Sequence, residues 1–171
     1  MLDAAASLSQ WGTSMPAGSA RGIAIGTAFN SIVACVVEVS GSGAASFTVR
    51  RVSVVLDSYL TVNPANVEAQ LAGGVVHGLN AALYGQQVFT KGVAQRRNFN
   101  TNPMIRLRQM PDVRIGIMPR PAMTSRDVPI GGVGELGVPT LAPALANAVA
   151  RLSGQRIRSL PFFPSATMGD G

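Results

Sequence analysis

Cysteine, histidine, lysine and tryptophan are each present once in this chain of 171 residues, and only 13% of the residues are charged. The lone Cys35 excludes an internal disulfide and any iron–sulfur cluster held by this chain's own thiolates. His77 has no second His or Cys at ligand spacing, so a protein-built metal site is not expected. No apolar run approaches the roughly 20 residues that a membrane-spanning helix needs; the longest, Ile32 to Val37, is closed by Glu38. The start, Met1 to Leu8, lacks the basic opening and apolar core of a secretion signal. Acids are scarce too. Between Lys91 and Arg126 lie eight of the fourteen cations and a single acid, Asp112.

Such a basic stretch suits nucleic acid, a phosphate-bearing cofactor or an acidic partner surface. Thirteen of the fourteen cations are arginine, whose planar fork grips carboxylate as well as phosphate. Apart from Phe99, no aromatics interleave with them, which argues against a single-strand stacking platform, and no nucleic-acid partner is expected. With 47% apolar residues the chain is globular. Its length suits a single domain over residues 1–171 with a core of its own.

Asp3 is placed to cap a short helix, Ala4 to Gln10. Residues 22–29, 31–39 and 47–60, rich in Val, Ile and Thr, read as three antiparallel strands, with Ser40 to Ala44 as a hairpin loop. Alternation puts Cys35 with Val33, Val37 and Val39 on one buried face. Asn63-Pro64 opens a helix with the core stripe Val67, Leu71, Val75, Leu79 and Ala82. Gly73, Gly74 and Gly78 weaken that helix by about 1 kcal/mol each, so something must approach its backbone closely. Gln70 and His77, seven residues apart, project together on a neighbouring stripe. Residues 85–111 read as irregular and Val113 to Met118 as a strand. The last helix has Thr140 as cap, Leu141, Leu145, Val149 and Leu152 as stripe, Arg151 near its negative end and Gly154 beyond. Arg156 to Leu160 are expected to return as a strand. The fold class is α+β, an antiparallel or mixed sheet with a glycine-rich helix and a C-terminal helix packed on it. Trp11, Tyr59 and Tyr84 are expected to be packing residues.

Before the last helix, Pro129-Ile-Gly-Gly-Val-Gly-Glu-Leu-Gly-Val-Pro139 sets four glycines around one carboxylate, Glu135. Gly132, Gly134 and Gly137 match the spacing of a dinucleotide-binding turn, but that reading needs a strand directly before it and an acid about 20 residues on. The preceding residues, 120–129, are polar and broken by prolines, and no acid lies between Leu136 and Met168. Glu135 is then either a surface acid favoured by the following helix dipole or a chemical group set in a tight turn.

Three ordered blocks resemble the molybdenum-binding large subunit of the xanthine dehydrogenase/aldehyde oxidase family, and most of all its isoquinoline 1-oxidoreductase beta-subunit type. They are residues 54–70, a strand ending in Asp57 followed by Asn63-Pro64 and Gln70; residues 73–85, the glycine-rich helix; and residues 131–135 with the helix after them. Ala142 to Ala148 and Arg156 to Pro161 add to the likeness. The resemblance implies the C-terminal part of a molybdopterin-binding domain in a hydroxylase of N-heterocycles or aldehydes. Its cofactor would be molybdenum–molybdopterin cytosine dinucleotide, shared with segments outside this chain. In family members the glutamate matching Glu135 takes the proton from a molybdenum-bound hydroxyl. Gln70 matches a glutamine that hydrogen-bonds the pterin, and Gly132, Val133 and Gly134 match the turn against the metal site.

The partners so implied are the remaining molybdenum-subunit polypeptide and a small subunit carrying the 2Fe–2S clusters; the location, cytoplasmic or periplasmic, would follow them. Alone, the chain is expected to be inactive. His77 and Asn80 depart from the family's usual Gln and Gly, and Leu136 replaces a frequent proline, which predicts a looser turn. The alternative is a degenerate module that binds a nucleotide or protein without catalysis.

Overall fold

A computed structural model describes residues 1–119 and 130–164 of the chain. The element order is α1 (Leu2–Ser9), β1 (Ser19–Ala28), β2 (Ser31–Gly43), β3 (Ser46–Asp57), α2 (Pro64–Leu83), β4 (Phe89–Thr90), β5 (Val93–Ala94), β6 (Asp112–Ile117) and α3 (Leu141–Ser153). The class is α+β. The main sheet has the order β1-β2-β3-β6. Its first three strands are antiparallel, and β6 adds in parallel to β3, with Arg51 opposite Asp112 and Leu56 opposite Ile117. The three antiparallel strands expected from the sequence are therefore three of four in a mixed sheet. The fourth joins in parallel because the crossover from β3 to β6 contains the whole of α2, long enough to return the chain to the same end of the sheet.

Period-two alternation sorts the sheet into two faces. One carries Val33, Cys35, Val37, Val39, Val52, Val54 and Leu56, packed with the stripe of α2 and with Leu141, Ala144, Leu145, Ala148 and Val149 of α3 in the main core. The other carries Ala34, Val36 and Val55 under α1, where Trp11 also packs. Cys35 is fully buried among valines, which pushes its thiol up to about 12 against a smaller opposite effect of the Thr140 hydroxyl. Gly22 lets α3 lie directly on β1: a Cβ there would collide with the backbone of Ala144 and Ala148.

On the outer face, Arg21, Glu38, Arg51 and Asp112 are register partners across all four strands and form a ladder of alternating charge. Arg21 Nε donates to Glu38 Oε2 at 3.0 Å and Arg51 Nε to Asp112 Oδ2 at 3.0 Å. Arg21 is also 2.7 Å from the Gln10 carbonyl, satisfying an acceptor just past the end of α1.

Four local expectations change. Asp3 lies inside α1, whose N-cap is Met1. The β2–β3 strands run on through Ser40 to Gly43 and turn only at Ala44-Ala45, because register shifts at Glu38/Val39 and Gly41/Gly43 absorb the irregular glycines. Thr140 occupies the N-cap position of α3 but makes no side-chain cap. Its hydroxyl is buried beside Cys35, with no nitrogen or oxygen partner. Residues 156–160 form no strand; the chain after them instead gives the N–H groups of Phe162 and Phe163 to the last carbonyls of α2, Ala82 and Leu83, at 2.8 and 2.9 Å. Their rings pack on Phe47. Residues 85–111 are, as expected, mostly irregular, with a two-residue hairpin and two single 3₁₀ turns.

The opening of α2 follows its sequence: Asn63 accepts from Asn66 N at 3.1 Å and Pro64 starts the helix. Its core stripe is buried throughout. Gly154, left-handed at φ 73°, ends α3 after Arg151. No described helix is long and apolar enough to cross a membrane.

Candidate functional site

The glycine turn before α3 is tied to one end of the sheet from several sides. A two-residue turn, Phe29-Asn30, with both residues at positive φ (50° and 59°), joins β1 to β2. The Phe29 carbonyl accepts from Gly132 N at 2.8 Å, and Ser31 Oγ donates to the Gly132 carbonyl, also at 2.8 Å. Past the end of β3, the Ser58 carbonyl accepts from Gly131 N at 3.0 Å, and Tyr59 bridges to Ile130. Tyr59, at φ 63°, is held by a bond from its N–H to Asp57 Oδ1 at 3.1 Å. Non-glycine residues in this region cost of order 1 kcal/mol each, and three of them gather around one turn. Gly131 and Gly132 have no room for a side chain, since a Cβ would strike Ser31 and Phe29 respectively.

On its other side the turn rests on α2. A Cβ on Gly137 would stand 2.6 Å from the Leu71 carbonyl oxygen and 2.7 Å from Val75 N. Gly74 and Gly78 of α2 face Gly137, Val138 and Leu141 in return. The close approach inferred from the helix glycines is thus made, at two of the three, by this chain's own turn and by α3. Gly73 differs, because a Cβ there would meet nothing within 4 Å. Leu136 is wholly buried in the main core and anchors the turn where a loosened one was expected; a leucine there fills volume that binds the loop to both helices.

This packing brings the sequence-derived site residues together. A Cβ on Gly134 would lie 3.7 Å from Gln70 Oε1, so the side chain from α2 reaches the turn beside Glu135. Gln70, Gly73 and His77 are exposed along one stripe of α2, and Gly134 and Glu135 are exposed in the turn that Gln70 reaches. The N–H groups of Val133, Gly134 and Glu135 meet no acceptor among the described residues. Gly132, by contrast, spends both its backbone groups within the chain. Successive free N–H groups in a turn, a glutamine amide and open glycines make a surface able to hydrogen-bond a flat polar ring system and its anionic substituents.

Among the described residues nothing encloses Glu135, which is exposed to solvent. Asn80 turns away to accept from Ile105 N at 3.1 Å and so anchors the irregular segment. No group of three or more His, Cys, Asp or Glu able to hold a metal occurs among the described residues. The polar stretch at 120–129 that argued against a dinucleotide turn lies outside the described residues. Sequence reasoning missed Ser31, Phe29, Ser58 and Gly131, because their parts depend on pairings over long separations; the adjacent Phe29-Asn30 carries none of the usual glycine of such turns.

A family model described as molybdopterin cofactor-binding domain matches residues 5–111, a span that includes Gln70 and ends before the Glu135 turn. The chain is 35% identical over 165 residues to isoquinoline 1-oxidoreductase subunit beta of Brevundimonas diminuta, covering 94% of this chain and 20% of that relative. It thus spans about a fifth of the length of this relative. Among solved structures, quinoline 2-oxidoreductase from Pseudomonas putida 86 aligns over 71% of this chain and 15% of its own, with a TM-score of 0.59 at 24% identity. Reconstituted CO dehydrogenase from Oligotropha carboxidovorans aligns over 78% of this chain and 17% of its own, with a TM-score of 0.66 at 17% identity. At these identities the two structures share the fold.

Proposed function

Because the chain belongs to the molybdopterin cofactor-binding domain family, we propose that it is the C-terminal cofactor-binding part of a molybdenum hydroxylase acting on an N-heterocycle or an aldehyde. The observation that carries this reading is the meeting of Gln70 with the Gly134–Glu135 turn on one open face. The substrate class is taken from similar proteins, which include an isoquinoline and a quinoline oxidoreductase and an aldehyde oxidoreductase.

The residues fit a molybdopterin. The Gln70 amide and the free N–H groups of Val133 and Gly134 would hold its polar edge, with Gly132 fixing the turn behind them and Gly73 leaving room over α2. In its cytosine dinucleotide form the cofactor would reach segments outside this chain. When bound it supplies the oxygen-transfer and two-electron chemistry. Glu135 is assigned the role of general base, taking the proton whose loss makes the attacking oxygen a nucleophile. A base must stand within hydrogen-bond reach of that proton, and the buried Leu136 and the sterically fixed Gly137 hold the backbone of Glu135 for that purpose. Electrons would leave through 2Fe–2S clusters in a small subunit, since the single thiol here is buried in the core.

Alone, the chain is inactive on this account, because Glu135 lies on an open surface with only part of a site around it. The test is to combine the chain with the polypeptide supplying the remaining segments and with the iron–sulfur subunit. Hydroxylation and molybdenum content are then compared for the wild type and Glu135→Gln. Equal activity would sink the assignment of Glu135 and favour a non-catalytic binding module.

A further inference from the structure

At the opposite end of the sheet from Glu135, residues 85–111 connect the end of α2 to the start of β6 and form an arm with two different sides. Its inner side is fastened to the body. Arg96 donates to the Tyr84 carbonyl at 2.8 Å, Ile105 N to Asn80 Oδ1 at 3.1 Å, and Gln109 Nε2 to the Tyr84 hydroxyl at 3.3 Å. Pro103 and Pro111 are buried. The outer side is apolar and uncovered: Phe89 is 67%, Phe99 86% and Leu107 90% exposed. Large apolar side chains left in water by a folded chain mark an interface left open.

The arm's charge is of one sign. Lys91, Arg96, Arg97, Arg106 and Arg108 fall within it, with no Asp or Glu. We infer that this arm is a docking surface for the polypeptide that supplies the remaining segments of the molybdenum subunit, and that the surface it meets there combines apolar pockets with carboxylates. The inference rests on the function proposed above for its partner, but on different residues.

Two observations select a protein over a lipid surface. Phe, Met and Arg with few lysines and no acids is the composition of protein interface cores. Membrane-interface segments instead favour Trp and Tyr, and the arm has neither. The isoquinoline 1-oxidoreductase subunit beta that this chain resembles is about five times its length, so segments that this chain does not include are available to cover the arm.

The test measures binding of the remaining-segment polypeptide to the full chain by calorimetry, at low and at high salt. It compares wild type with Phe89→Ser/Phe99→Ser/Leu107→Ser and with Lys91→Glu/Arg97→Glu; vesicles of phosphatidylglycerol and phosphatidylethanolamine serve as a second probe. Both arm variants are expected to unfold at the wild-type temperature and to bind about tenfold or more weakly. The charge-reversed variant should also lose the salt dependence, and vesicles should not be retained. Arm variants that bind as tightly as wild type, no binding by wild type, or arm-dependent capture of vesicles would each overturn the inference. Arm-dependent binding in a complex that takes up no molybdenum–pterin would uphold the arm and sink the proposed function. Uptake that does not depend on the arm would do the reverse.

Discussion

Gly137 and Gly73 face the same helix problem with opposite outcomes, and substituting alanine at each tests the packing of the site directly. A methyl at Gly137 would stand 2.6 Å from the Leu71 carbonyl oxygen, 2.7 Å from Val75 N and 2.8 Å from Gly74 C. All three are backbone atoms of α2, which cannot rotate aside as a side chain could. The turn or the helix must move, and overpacking of this kind costs about 1–3 kcal/mol, here toward the upper end. For a chain of this size that lowers Tm by roughly 5–10 °C. No positive φ is involved at Gly137, so the loss measures steric contact alone. At Gly73 a methyl meets nothing within 4 Å on an exposed helical position. There alanine recovers about 1 kcal/mol of helix propensity and raises Tm by roughly 2–4 °C. The assay is thermal and urea unfolding of the two variants beside wild type. The reasoning is refuted if Gly137→Ala melts within a degree of wild type, or if Gly73→Ala is the less stable of the pair. In the assembled protein Gly73→Ala carries a further consequence, since its methyl stands on the face assigned to the pterin. It should lower molybdenum–pterin content while stabilising the chain.

Gln70→Ala, at an exposed helical position, should leave the melting temperature of the chain within about a degree and still reduce pterin content of the complex; metal and pterin analysis checks both. Arg21→Ala removes a nearly buried guanidinium that serves Glu38, the Gln10 carbonyl and Thr13, and should cost about 2 kcal/mol in urea unfolding. The Cys35 thiol should resist a disulfide reagent at pH 8 in the folded chain and react at once on denaturation; stoichiometric labelling of the native protein would contradict its burial. Because folding raises its pKa from 9.0 to about 12, its contribution to stability is whole below pH 9.0 and declines as pH climbs toward 12. Asp112 is shifted the other way, mainly by the Arg51 hydrogen bond and then by Arg114. It supports folding above the ordinary carboxylate pKa and loses that support as pH falls through its lowered value. Asp112→Asn should therefore flatten the acid limb of the stability profile.

Local chemistry made much of this legible. Asn63-Pro64 announced the start of α2, Gly154 the end of α3, and valine alternation the buried face that holds Cys35. The three family-like blocks named Gln70 and Glu135 as one site, and the fold sets Gln70 beside Gly134, the residue before Glu135. What the sequence hid depends on distant partners. Residues 113–118 read correctly as a strand, but their parallel place beside β3 follows from a crossover over α2. Thr140 had the chemistry of a cap, yet the space beside Cys35 took its hydroxyl inward. Leu136 read as a loosened proline position, though its side chain fills the core. Gly73, Gly74 and Gly78 were indistinguishable in the chain; only the folded turn separates the two it covers from the one left open.

The central claim is that Glu135 is a base in a site this chain shares with another polypeptide. It is tested most directly by assembling the full complex with wild type and with Glu135→Gln and measuring turnover per bound molybdenum. Molybdenum and pterin content should be equal, and turnover lower by roughly 10²–10⁴ in the variant. Equal turnover per molybdenum would contradict the claim.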